Sequence, residues 1–150
     1  MNNNDEQNID INNLELATQG SRMKAFIIDD LLITFVTIFM LWGPIKNVNG
    51  DMESVIAIMN QALFQILALK FIYQTFFTWY YGATPGKIIA KIKIIDFNHF
   101  GRISFTTALI RSFTRLISES IFYIGFIIAY YTDSRQTLHD KTAKTLVVNA

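Results

Sequence analysis

The stretch GSRMKAFIIDDLLITF, residues 20–35, places two adjacent carboxylates, Asp29 and Asp30, at the start of a long apolar run. The run then continues from Leu31 to Trp42 without a charged residue. From about Met23 to Trp42 it is long enough to cross the ~30 Å hydrocarbon layer of a bilayer as one helix. A carboxylate at that depth costs about 2.5–3.5 kcal/mol, so it must be neutral, paired or in contact with water. The fold therefore depends on where these two acids find their partners.

A second apolar segment runs from about Val55 to Tyr81 and is long enough to cross a bilayer with tilt. Its interior carries Gln61, Gln65, Lys70 and Gln74. Polar side chains inside membranes often hold neighbouring helices together, which is the favoured interpretation here. A lining for an ion route is the alternative, and the sequence leaves it open.

The composition of the whole chain agrees with a membrane protein. Of its 150 residues, 51% are hydrophobic and only 17% are charged, whereas a soluble domain has about 25% charged residues. The net charge of +1 does not suggest a nucleic-acid partner. The absence of cysteine excludes disulfides and cysteine-based metal sites. The length predicts a single domain.

The first twenty residues differ from the rest of the chain. They are rich in asparagine and acidic, with no Lys or Arg, and they lack the basic start and apolar core of a secretory signal. We predict a disordered acidic tail over residues 1–20, because its composition cannot bury enough apolar surface to fold. A transmembrane domain is predicted over residues 21–150.

A basic segment, GATPGKIIAKIKIIDFNHFGR, follows the second apolar segment at residues 82–102. Pro85-Gly86 marks a turn, and the alternating AKIKII predicts a β-strand. The C-terminal KTLVVNA, residues 144–150, predicts a second strand, so the two form a small β-ribbon on the cytoplasmic side of an all-α membrane protein. Basic residues in the first strand region are assigned to lipid headgroups, where each gains ~1 kcal/mol: Lys87, Lys91 and Lys93. A topology signal that retains basic residues in the cytoplasm explains the same charges and is the favoured interpretation.

The remaining apolar region, Ile103 to Tyr131, is divided by Arg111, Arg115 and Glu119. Each part is too short or too charged to cross easily, so we predict a shallow helical hairpin that enters the bilayer and returns. A third span from Leu116 to Tyr131 is the alternative.

Basic residues also predict the orientation. Arg22 and Lys24 flank the first segment, Lys46 alone lies between the two segments, and the Lys-rich stretch follows the second. The N-terminus and the Lys-rich stretch are therefore predicted to be cytoplasmic, and the first loop to lie outside. With a hairpin the C-terminus is also cytoplasmic, whereas a third span puts it outside.

Five short motifs follow one another in a characteristic order. Arg22 precedes Asp29 by seven positions in SRMKAFIID, ATPGK follows the second segment, and IID ends the basic strand. RSFTR and then QTLHDKTAKTLVV complete the set. The combination resembles the RDD family of small integral membrane proteins, named for an arginine and two aspartates. The likeness extends from Ser21 to Val148.

The resemblance implies a multi-pass protein of the bacterial inner membrane. The family arginine matches Arg22, the first aspartate matches Asp29, and the second best matches Asp140 in the pair His139-Asp140. Asp30 is an additional acid here. Cation–proton exchange has been suggested for some family members, so the resemblance gives a prior for ion transport.

Helical geometry indicates which groups meet. Arg22 and Asp29 lie ~10 Å apart on one helix face, and Asp30 is rotated by about 100°. Lys70 is a candidate partner for the two acids, with Arg111 and Arg115 as rivals. Asp140 is expected to bind an arginine: Arg22, Arg111 or Arg115. The predicted polar cluster, or ion or proton site, comprises Arg22, Asp29, Asp30, Lys70, Arg111, Arg115, His139 and Asp140.

Two functions follow from this cluster. In one, the protein is a cation or proton transport component that uses an intramembrane aspartate. In the other, it is a membrane scaffold or assembly factor whose ion pairs only set helix packing. We expect no enzymatic activity, no cofactor and no metal, since His99 and His139 are far apart in the sequence. Membrane lipids are expected partners, as is a second copy of the chain or a larger membrane complex.

Overall fold

Two long helices form the body of the protein: α1, Gln19–Lys46, and α2, Met52–Tyr81. Both are long and apolar enough to cross a membrane, and they confirm the two predicted spans. The computed structural model describes residues 14–121 and 136–150. Helix α1 continues past Trp42, the predicted end of the first segment, because Pro44 in its last turn removes only one hydrogen bond of the helix.

Local side-chain chemistry sets the ends of these helices. The Thr18 hydroxyl accepts a hydrogen bond from the Ser21 amide at the start of α1, and Asp51 accepts one from the Ser54 amide at the start of α2. Helix α2 ends at Gly82, whose φ of 70° is a conformation that glycine adopts without strain. The chain therefore leaves α2 sharply and turns back toward α1.

Five shorter elements complete the described part of the chain. They are α3, Pro85–Ile89; β1, Ile92–Asp96; α4, Phe105–Ser120; α5, Leu138–Thr142; and β2, Thr145–Asn149. Helix α3 packs against α1, and α4 packs against both α2 and α5. We use the name "cap" for residues 14–18, 82–101 and 136–150, which lie at one end of the two long helices.

The cap contains the predicted β-ribbon. Strands β1 and β2 pair antiparallel, with Ile92 opposite Asn149 and Asp96 opposite Thr145. Inward-facing aliphatic side chains from both strands form a small core together with residues of α1 and α4: Ala17, Ala25, Ile92, Ile94, Ile103, Ala108 and Val147. The sheet is thus attached to the helices by apolar packing on one face.

Residues 15–17, which the sequence analysis assigned to the acidic tail, belong to the cap. The Asn149 amide donates to the Glu15 carbonyl at 2.9 Å, and the Ala17 amide donates to the Val147 carbonyl at 3.0 Å. The open edge of β2 offers these backbone groups, and Leu16 packs against the neighbouring apolar side chains. Residues 1–13 of the predicted tail lie outside the described residues.

Helix α4 has the reverse polarity of a helix in a water-soluble protein. Its buried residues include two charged and two hydroxyl side chains: Arg111, Arg115, Ser112 and Ser118. Its exposed residues include four large apolar side chains: Phe105, Ile110, Phe113 and Ile117. A helix with this pattern is suited to lie against lipid with its polar face toward the protein. The second arm of the predicted hairpin, and the alternative third span, extend into residues 122–135, outside the described part of the chain.

Candidate functional site

Asp29 lies at the contact between α1, α2 and α3 and is 1% exposed. Its carboxylate accepts hydrogen bonds from the Tyr73 hydroxyl at 2.9 Å, the Thr84 hydroxyl at 2.5 Å and the Gly86 amide at 2.8 Å. The sequence predicted a basic partner for Asp29, but within the described residues it forms no salt bridge. Three uncharged donors take that place, because the tight turn before Pro85 brings a backbone amide and a hydroxyl to the acid.

Asp140 forms a second buried junction, at 0% exposure. Arg22 donates to one of its oxygens at 2.6 Å, and Arg111 forms a short ion pair with the other. Arg111 also donates to the Thr145 hydroxyl at 2.7 Å. The Thr137 amide donates to Asp140 and the Thr137 hydroxyl accepts from the Asp140 amide, which forms a capping box at the start of α5. Asp140 thus joins the cap to α1 and α4.

Charges near Asp140 determine how it titrates. Burial by itself raises the pKa of a carboxyl group, but the adjacent Arg111 and Arg22 hold the pKa of Asp140 well below its usual value. The imidazole of His139 lies 3.9 Å from the same carboxylate. Burial holds the pKa of His139 well below its usual value, so this ring is neutral at pH 7.

A third group of charges extends from the spans to α4. Lys70 lies 3.4 Å from Asp30 and 3.4 Å from Glu119. Arg115 binds Glu119 at 2.9 Å and donates to the Gln74 side-chain oxygen at 3.0 Å. The sequence analysis named Lys70 as a candidate partner for Asp29 or Asp30, and the structure pairs it with Asp30. Gln74 contacts α4, so here it acts between helices.

Lys87 is buried under α1, with 7% exposure. Its predicted position at the lipid headgroups is wrong, because its side chain points inward and donates to the Thr84 hydroxyl at 3.5 Å. Burial, followed by the positive charges of Arg115 and Arg111, lowers the pKa of Lys87 to about 7. The two other residues assigned to headgroups have exposed side chains: Lys91 and Lys93.

The sequence of the chain matches a family model. This model, described as the RDD family, matches residues 16–144. The chain belongs to the RDD family. Comparison with curated proteins found no match, and comparison with solved structures found none. In this RDD protein, the arginine at position 22 and the aspartate at position 140 form a direct ion pair, whereas Asp29 forms a separate site on the same helix face as Arg22.

Two small cavities adjoin these groups. One, of about 10 Å³, lies beside Asp29, Asp30, Lys70 and Glu119. The second, of about 20 Å³, lies between α1, α3, α4 and α5. A single water molecule needs about 10–15 Å³ measured in this way, so each cavity holds one small species at most. No group of three or more His, Asp or Glu side chains suited to a metal was found among the described residues.

Several residues of the site were not identified from the sequence. Tyr73, Thr84 and Gly86 all donate to Asp29, and only the position of Thr84 before a helix-starting proline gave a local signal. A threonine there commonly caps the helix, but the Thr84 hydroxyl donates to Asp29 instead. The capping role of Thr137 could have been predicted, because TLHD, residues 137–140, has the spacing of a capping box.

Proposed function

We propose that this RDD protein is a membrane scaffold or assembly component whose buried polar cluster holds the cap in a fixed position on the two spans. The observation that carries the proposal is the burial of both family aspartates. Asp29 is bound by donors from α2 and from the turn into α3, and Asp140 by arginines of α1 and α4. Each aspartate therefore connects three or more parts of the chain.

The environment of Asp29 favours a structural role over ion binding. Its two oxygens already accept three hydrogen bonds from groups that carry no positive charge. The adjacent cavity has only about 10 Å³, which is too little for a hydrated ion or a water-filled route. A carboxylate in this position stabilises one arrangement of helices, since moving any of them leaves a buried charge without donors.

The proposal includes a location and a partner. The protein lies in the bacterial inner membrane with a cytoplasmic N-terminus and cap, which the basic residues of the cap support. It acts without enzymatic activity, by presenting the cap to a second copy of itself or to a larger membrane complex. The exposed apolar side chains of both spans are available for lipid or for such a partner.

Asp29→Asn tests the proposal, with Asp30→Asn as the matched control. Asparagine at position 29 replaces the charge-assisted hydrogen bonds from Tyr73 and the Gly86 amide with neutral ones and reverses the bond with the Thr84 hydroxyl, so we expect the free energy of unfolding to fall by about 2 kcal/mol. Asp30 is partly exposed and Lys70 keeps Glu119 as a partner, so Asp30→Asn should cost about 1 kcal/mol or less. Thermal unfolding in detergent and protein abundance in membranes measure both effects.

Proton flux in reconstituted liposomes separates this role from transport. A scaffold gives background flux for the wild type and for both variants. A wild-type flux that requires an added cation, and that Asp30→Asn abolishes without lowering stability, contradicts the proposal.

A transport component is the second candidate, and one observation favours it. Three carboxylates adjoin the 10 Å³ cavity, Asp29, Asp30 and Glu119, against two cations, Lys70 and Arg115. If all are ionised, the group has an excess negative charge that a proton or a monovalent cation would balance. Under this alternative, Glu119→Gln in the same liposome assay removes cation-coupled proton flux. Under the scaffold proposal there is no flux to remove.

A further inference from the structure

The cavity of about 20 Å³ between α1, α3, α4 and α5 has an unusual lining. Four cationic side chains border it, together with a hydroxyl and an imidazole: Arg22, Lys87, Arg111, Arg115, Thr137 and His139. Apolar atoms of Phe26 and Val147 complete the wall. The described residues that line it include no carboxylate. Such a lining attracts an anion and repels a cation.

Arg22 provides the most specific evidence. Its side chain is only 8% exposed, and one of its terminal nitrogens, Nη1, donates to Asp140. The other nitrogens that carry N–H groups, Nε and Nη2, are buried and have no hydrogen-bond partner among the described residues. A guanidinium stays charged in proteins and has no acceptor atoms, so buried N–H groups of this kind require an acceptor.

Nearby carboxylates do not supply that acceptor. Asp140 already accepts from Arg22 and Arg111 and from the Thr137 amide. Glu119 is bound to Arg115 and faces Lys70. Asp29, which also lies near Lys87, already accepts three hydrogen bonds. When Lys87 is protonated, the four basic side chains around the cavity therefore outnumber these three carboxylates.

We propose that this cavity binds one small monovalent anion of the chloride type, which accepts hydrogen bonds from Nε and Nη2 of Arg22 and balances the charge of Lys87. The volume accommodates a single species close to water in size and excludes a phosphate or sulfate group. The anion completes the hydrogen bonds of Arg22, so the site adds an ion to the junction that joins α1 to the cap.

The test compares the full-length protein, purified in detergent, in chloride and in gluconate at equal ionic strength and at pH 7. We expect chloride at about 100 times its dissociation constant to raise Tm by roughly 5–10 °C relative to gluconate. The ³⁵Cl NMR line should broaden in the presence of the protein. Added bromide should compete for the site and reverse the broadening. Equal Tm values together with an unbroadened line overturn the proposal, as does stabilisation by phosphate or sulfate alone.

Arg22→Lys is the diagnostic variant, and Lys24→Gln is its control. Lysine at position 22 keeps a positive charge for Asp140 but lacks Nε and Nη2, so the chloride effect on Tm should disappear. Lys24 is exposed on the same helix, and its neutralisation should leave the chloride effect unchanged. A chloride effect that persists in Arg22→Lys overturns the assignment. If that variant does not fold, the ³⁵Cl line of the wild type still decides the proposal.

Discussion

Gly86 determines how closely α3 approaches α1. A Cβ atom at this position would overlap the Ala25 carbonyl oxygen and lie 2.8 Å from the carboxylate of Asp29. Both neighbours are held in place, one by the helix backbone and the other by its hydrogen bonds. Only glycine therefore permits the Gly86 amide to donate to Asp29.

We predict that Gly86→Ala lowers the free energy of unfolding by about 3 kcal/mol, since overpacking displaces α3. The corresponding fall in Tm is roughly 5–10 °C. Gly43→Ala is the matched control: no atom lies within 4 Å of its added Cβ, and alanine favours a helix by about 0.5–1 kcal/mol. Equal Tm values for Gly86→Ala and the wild type would show that the close approach is not required.

Lys87 predicts a pH dependence of stability. Its pKa is lowered to about 7 in the folded protein, from an ordinary value near 10.5. Between these values the unfolded chain binds the proton more strongly, so the free energy of unfolding rises as pH increases from about 7 toward 10. Below pH 7 the lysine is protonated in both states and the full cost of burying its charge remains.

Replacing Lys87 by methionine removes this titration while keeping a side chain of similar length. We expect Lys87→Met to be more stable than the wild type at pH 6–7 and to lose the rise toward pH 10. Chemical denaturation of both proteins across pH 6–10 measures the difference. Parallel curves for the two proteins would contradict a buried titrating lysine. Lys93→Met, at an exposed position of β1, is the control.

At the scale of elements, the short helix α5 depends on its capping box. Thr137 and Asp140 exchange hydrogen bonds at its first turn, and Asp140 then binds Arg22 and Arg111. Thr137→Val keeps the shape but removes the hydroxyl, and should cost about 1–2 kcal/mol in the free energy of unfolding. Thr137→Ser restores the acceptor and should recover most of the loss. Thermal unfolding that ranks serine no better than valine would exclude the hydroxyl as the cause.

The sequence predicted the long elements well and the partners of buried groups only in part. The spans and the ribbon follow from apolar runs and alternation, which are local properties of Leu31–Trp42 and of AKIKII. For Asp140, one arginine was predicted as the partner, from Arg22, Arg111 or Arg115, and the structure pairs it with both Arg22 and Arg111. The donors to Asp29 were not predicted, since one of them, the Gly86 amide, is a backbone group that no side-chain pattern reveals.

Tertiary contacts explain the remaining differences between the prediction and the structure. Residues 15–17 look like a polar tail, yet the exposed edge of β2 recruits their backbone. Lys87 looks like a headgroup ligand, yet the packing of α3 against α1 leaves its side chain buried. In both cases, the determining contact comes from a segment more than fifty residues away, so neither could be read locally.

At the scale of the whole molecule, polar and apolar surfaces are arranged for lipid. The large exposed side chains lie mainly on α1, α2 and the outer face of α4. Charged side chains between these helices face one another: Asp30, Lys70, Arg115 and Glu119. The cap carries exposed lysines at Lys91 and Lys93, at the end of α2 opposite to the loop 47–51. This separation predicts that the cap is cytoplasmic and that the loop between the spans lies outside.

Single-cysteine variants test this orientation directly, because the natural chain contains no cysteine. Asn47→Cys lies in the loop between the spans and Asn98→Cys lies in the cap, and both positions are exposed. In intact spheroplasts of a bacterial host, a membrane-impermeant maleimide should label Asn47→Cys and leave Asn98→Cys unlabelled until the membrane is permeabilised. The reverse pattern inverts the topology, and labelling of both variants in intact spheroplasts excludes α1 and α2 as spans. The wild type, which has no thiol, gives the background.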